Sequence, residues 1–166
     1  MKRILSFGLV SLLLISVLLV GTGCKNITGG GWFIDWDSEN KITFGINGQS
    51  LDEPSDLDPQ LCQAKGHIQL VDHGTGDRIH CTFIITGFGE ASKPYLSNFG
   101  GPATINGEDG YIVVVEVHDM GEPGIQAGDL IGVLVFEEDN IDPQNPFKKY
   151  TGWLGGGNIQ VHGATY

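Results

Sequence analysis

Two grammars divide the chain. From Ile4 to Val20 an apolar run is interrupted only by Ser6, Gly8, Ser11 and Ser16. Beyond residue 31, short bursts of alternating apolar and polar positions are separated by Gly-, Pro-, Asn- and Asp-rich text. Alternation with period two is the signature of a strand with one buried face. It predicts strands over 32–36, 41–46, 66–71, 78–85, 103–107, 111–118, 130–136, 150–154 and 158–162. The segments 49–61, 87–102 and 137–147 read as loops, and Gly155-Gly156-Gly157 as a turn.

The most legible pair flanks the glycine-containing text from Asp72 to Asp77. A turn closing on those two aspartates pairs residues whose numbers sum to 149, on the numbering of the chain. Ile68 and Leu70 then share an inward face with Ile79, Cys81, Phe83 and Ile85. His67, Gln69, Arg78, His80 and Thr82 share the outward one. About nine short strands with no helical period after the leader imply an all-β domain. The expected package is an antiparallel β-sandwich, Ig-like or jelly-roll-like, behind an N-terminal signal helix.

The leader changes the picture most. Lys2 and Arg3 precede the apolar run, and Gly21-Thr22-Gly23 precede Cys24. A basic start, an apolar middle and small residues before a cut describe a secretory signal peptide. A cysteine directly after the small residues resembles the bacterial lipobox, in which the thiol takes a diacylglycerol and further acylation, palmitate included, follows cleavage. Gly21 stands where that pattern usually has an aliphatic residue. The resulting division is 1–23 as lipoprotein signal peptide, 24–31 as lipidated cysteine and flexible tether, and 32–166 as the β domain. Two alternatives stay open: ordinary cleavage leaving Cys24 free or paired, and a permanent membrane helix, for which the apolar run is short. The lipid-anchored reading places the domain on the extracytoplasmic side of a cell membrane or outer membrane.

Charge narrows the partners. Nine Lys and Arg oppose 20 Asp and Glu, a formal net charge of −11. Phosphate backbones are bound by Lys and Arg, so nucleic acid is set aside. The expected partners are the membrane through its anchor, and envelope polysaccharide or a surface protein. Lipidation of Cys24 leaves Cys62 and Cys81 as a candidate disulfide in an oxidising compartment, worth on the order of 3 kcal/mol.

Candidate chemistry is sparse. Asp119, Glu122 and Asp129 surround a turn and are the best calcium candidates, because calcium takes clustered carboxylate and carbonyl oxygens; otherwise no cofactor is expected. His67 and His80 form a candidate histidine face, although no HExxH, HxH or CxxC spacing accompanies them. No GxSxG elbow is present. Trp32, Trp36 and Trp153 are either packing residues or a platform on which sugar rings stack. The expectation is therefore a non-catalytic structural, adhesive or ligand-binding module, with a secreted metal-assisted hydrolase using a histidine/carboxylate site as the alternative.

Several segments taken in order resemble the post-COAP domain of bacterial surface proteins. They are Gly29-Gly30-Gly31-Trp32, Lys41-Ile42-Thr43-Phe44-Gly45, the 66–73 stretch, 103–111, the Glu122-Pro123-Gly124 turn with Gly128-Asp129, and 154–162. That resemblance implies an extracellular β-sandwich appended to exported proteins, and brings no catalytic residues with it.

Overall fold

A computed structural model describes residues 26–56, 61–87 and 96–162. The expected signal peptide, 1–23, and the lipidation candidate Cys24 lie outside the described residues. The elements are β1 (Asn26–Ile34), β2 (Lys41–Pro54), β3 (Cys62–Asp72), β4 (Arg78–Thr82), β5 (Ile85–Gly87), β6 (Leu96–Ile105), β7 (Glu108–His118), a one-turn helix α1 (Gly124–Ala127), β8 (Leu130–Glu137) and β9 (Lys148–His162).

The expected sandwich is replaced by a closed barrel. The strands run β2-β1-β9-β8-β7-β6-β4-β3, and β3 pairs back onto β2, so the eight form one antiparallel ring. The short β5 is an additional strand between β3 and β6. Closure leaves the ring without a free edge, which a sandwich must protect by other means. Strand count alone does not separate the two packages; the pairing of β1 with both β2 and β9 does.

That pairing also corrects the expected tether. Residues 26–31 are not a flexible lead but the first two-thirds of β1, held between Gly48–Phe44 of β2 and His162–Gly157 of β9. The Gly155-Gly156-Gly157 triplet is likewise no turn. It lies inside the fifteen-residue β9, and a register shift opposite Trp32 and Phe33 takes up the extra residue. The two glycine triplets face each other: Gly31 is opposite Gly157, and a Cβ on Gly157 would lie 2.0 Å from the Gly30 carbonyl oxygen. Only bare backbone lets the first and last strands approach so closely. Two expected loops are shortened in the same way, because 49–54 extends β2 and 96–102 belongs to β6.

The hairpin register follows the expected sum, with Ile68 opposite Cys81 and Gln69 opposite His80. The inward face of the whole ring is apolar: Ile42, Phe44 and Ile46 of β2, the three valines 113, 115 and 117 of β7, and Ile131, Val133 and Val135 of β8 meet at the centre. Phe99 stacks 5.0 Å from Phe83 and fills the space over Gly48, where a Cβ would stand 2.6 Å from its ring. An eight-stranded ring is narrow enough for side chains to fill it. Outward positions of β3 and β4 are Lys65, His67, Gln69, Arg78, His80 and Thr82, so the wall is polar where a membrane-spanning barrel is apolar.

Ile85 departs from its expected inward place. The numbers of paired residues sum to 184 between β4 and β6 but to 185 between β5 and β6, so one residue is inserted around Phe83 and Ile84. Such a bulge reverses the alternation. Ile85 therefore joins Leu61, Ile112, Phe136 and Ile141 in a second apolar cluster. This explains why β7 is apolar on both faces: 113, 115 and 117 point to the barrel centre, while Ile112 and Val114 belong to the second cluster.

Candidate functional site

Asp35 supports the two most exposed large apolar side chains among the described residues. It directly follows β1 and is 2% exposed. One carboxylate oxygen accepts from the Ser38 backbone N–H at 2.9 Å and the Ser38 hydroxyl at 2.7 Å, and the other from the Thr151 N–H at 2.8 Å. The turn from 35 to 40 is thereby fastened to β9. Trp36 N–H donates to the Thr151 carbonyl at 2.9 Å. These bonds carry the Trp36 ring to Trp153 of β9, with centroids 5.8 Å apart at 61°. Edge-to-face geometry suits the aromatic quadrupole. Both rings remain about half open to solvent, at 53% and 54%, and Ile34 beside them at 45%.

Trp32 takes no part in that pair. Its ring lies on Gly155 and Gly156, where added Cβ atoms would stand 2.3 and 2.4 Å from it, and Lys41 Nζ sits 4.7 Å above its centroid. The three tryptophans therefore split into one packed ring and two exposed ones. Lys149 and Asp37, 3.5 Å apart at the surface, add charge near the exposed pair.

The calcium candidates meet, but their oxygens are used. Asp129, wholly buried, accepts from Met120 N–H at 2.9 Å and Ile159 N–H at 3.0 Å. Asp119 accepts from Gly121 N–H at 3.0 Å and Val161 N–H at 2.8 Å. Glu122 Oε1 accepts from Asn158 Nδ2 at 2.8 Å and Gln160 Nε2 at 2.6 Å. Burial pushes the Asp129 carboxyl above its ordinary range, and Asp119 and Glu122 add repulsion, against the two amide donors. These acids fasten the β7–β8 connection to β9. Among the described residues no group of three or more His, Cys, Asp or Glu is placed to hold a metal ion.

The histidine face forms as the hairpin register requires. His67 and His80 have ring centroids 5.7 Å apart. The other three histidines bind elsewhere: His73 lies 3.0 Å from Thr43 Oγ1, His162 lies 2.9 Å from Thr28 Oγ1, and His118 lies 2.7 Å from Glu116 Oε1.

The Cys62–Cys81 bridge is not formed. Cys81 is a free, buried thiol whose hydrogen points to the Gly101 carbonyl at 3.5 Å, and burial pushes its pKa up to about 12. Cys81 faces Ile68, six residues along β3 from Cys62. At about 3.3 Å per residue that is roughly 20 Å, far beyond disulfide reach.

No family model, curated protein or solved structure matches the chain.

Proposed function

We propose that the chain is an exported lipoprotein, lipidated at Cys24, whose barrel is a non-catalytic module that binds neutral polysaccharide of the envelope through Trp36 and Trp153. The exposed indole pair is the observation that carries this reading. Two large rings held open to water by a buried aspartate offer flat apolar faces of the kind that pack on sugar C–H surfaces. Of the calcium candidates, Asp119 and Asp129 are tied to backbone amides and Glu122 to side-chain amides. A net charge of −11 repels anionic polymers, which favours uncharged glycans.

The anchor sits well for that task. Cys24 lies two residues before β1, and Trp36 lies two residues beyond its far end. Eight steps of extended strand separate Asn26 from Ile34, roughly 26 Å of chain at about 3.3 Å each. The indoles are thus carried away from the bilayer.

Tryptophan fluorescence of the full chain in detergent, titrated with an oligomer of N-acetylglucosamine, tests the ligand class. Saturable quenching that W36A and W153A each weaken about tenfold is expected; a flat titration refutes the reading. Intact-mass analysis tests the anchor separately. A thioether-linked diacylglycerol at Cys24 is expected. Lipidation there removes the last cysteine with which Cys62 can pair, so a Cys24–Cys62 disulfide in the mature protein excludes the anchor.

A further inference from the structure

A second surface lies on the outer wall, where β4, β6 and β7 run side by side. The β6 text there is Gly100-Gly101-Pro102. Gly100 is opposite Val114, and Pro102 opposite Ile112. Gly100 has no side chain to raise beside Val114, and the proline ring is short. A groove of about 330 Å³ results, walled by Thr82 and Ile84 on one side and Ile112 and Val114 on the other. That volume falls at the lower end of small-molecule sites, which are mostly apolar with a few placed polar groups.

The polar groups stand at one end. The Glu138 N–H donates to the Gly110 carbonyl at 2.8 Å, which brings Glu138 next to Asp109 of the neighbouring turn. Both residues are exposed and both line the groove. His80 and Thr104, paired across β4 and β6, complete the rim. Among the described residues no lysine or arginine lines the groove. Two carboxylates without a balancing cation repel an anionic amphiphile and attract an ammonium group.

We infer that this groove binds a small apolar amine. The apolar body lies over Pro102 between Ile84 and Ile112, and the ammonium meets Asp109 and Glu138. Ile112 is two residues from Gly110 along β7, roughly 7 Å at about 3.3 Å per residue. A single ring with a two-carbon aminoalkyl arm spans that distance. The site is separate from the indole pair, and its occupancy does not depend on the polysaccharide reading.

Fluorine NMR of the full chain with 4-fluorophenethylamine, 4-fluorophenylethanol and 4-fluorophenylpropionate tests it. The amine is expected to bind saturably at millimolar concentration, the alcohol more weakly and the carboxylate least. The double substitution D109N/E138Q is expected to weaken the amine about fivefold, in line with a solvent-exposed ion pair, and to leave the alcohol unchanged. T82F, at an exposed position of the wall, is expected to fill the groove and abolish both; I84Q removes an exposed apolar wall and weakens both. No saturable amine binding, equal binding of all three probes, or binding that survives T82F in a folded protein overturns the inference.

Discussion

The clamp between Asp77 and Lys148 lends itself to a worked prediction. Asp77 closes the β3–β4 turn, and Lys148 opens β9, 71 positions later. Lys148 Nζ donates to Asp77 Oδ2 at 2.8 Å; Asn106 Nδ2 donates to the other oxygen at 2.8 Å, and the Thr75 hydroxyl to Oδ2 at 2.9 Å. Chiefly through the lysine, then Asn106 and Thr75, these bonds hold the carboxyl at about 2 instead of 3.8. Taken whole, that difference corresponds to roughly 2.5 kcal/mol. Both side chains keep solvent contact, at 26% and 18% exposure, and water screens the pair. We therefore expect a coupling of about 1 kcal/mol. The folded pKa is depressed, so the stabilisation is full above pH 3.8 and is lost as pH falls through about 2. Urea unfolding of the parent, D77N, K148M and the double variant gives the coupling by a thermodynamic cycle. It should shrink in high salt and fade between pH 4 and pH 2, on the pKa values just given. A coupling indifferent to both salt and acid would show that the carboxylate charge contributes nothing, and would refute the reasoning.

Other outcomes follow from single features. The Tyr150 hydroxyl is buried and finds no hydrogen-bond partner among the described residues, so Y150F should raise stability by about 1 kcal/mol, visible as a higher Tm. Asp129 has the opposite slope from Asp77: its folded pKa is raised, so its ionisation costs stability as pH rises above 3.8, and D129N should flatten that part of the pH profile. The same substitution turns an amide donor toward a backbone N–H, so at pH 7 it should still be destabilising by about 2 kcal/mol in urea titration. Cys81 should resist a thiol reagent in the folded protein and react once denaturant opens the barrel, because burial holds the thiol protonated with its pKa at about 12. G157A should destabilise by about 3 kcal/mol or more, since it combines a positive φ of 101° with a Cβ 2.0 Å from a carbonyl oxygen.

The period-two pattern located part of most strands, splitting β9 in two and cutting β1, β2 and β6 short, and at the 72–77 turn it gave the register of a pair. It carried no information on which distant strands meet, because alternation is the same in a sandwich and a barrel. Glycine was the main source of error. At 29–31 and 155–157 it reads as tether and turn, whereas its role is to let two backbones touch. The bulge around Phe83 and Ile84 was equally silent, and with it the outward placement of Ile85. Three aspartates at strand ends, Asp72, Asp119 and Asp129, were legible as turn residues but not as buried acceptors for amides far along the chain, and Asp35 read as a strand position. Asp35 in particular carries the indole pair, and its only sequence signal is a polar residue between aromatic positions, with Ser38 three residues on.

The meeting of Asn26 with His162 sets a condition on how the protein is made. The first strand of the ring finds its lasting neighbour only when the ninth has been made, so the ring stays unsealed until β9 is complete. Until then β1 and β8 each present a row of unsatisfied amides to any passing chain. Loss of even the last dozen residues should therefore yield a sticky species instead of a slightly weaker one.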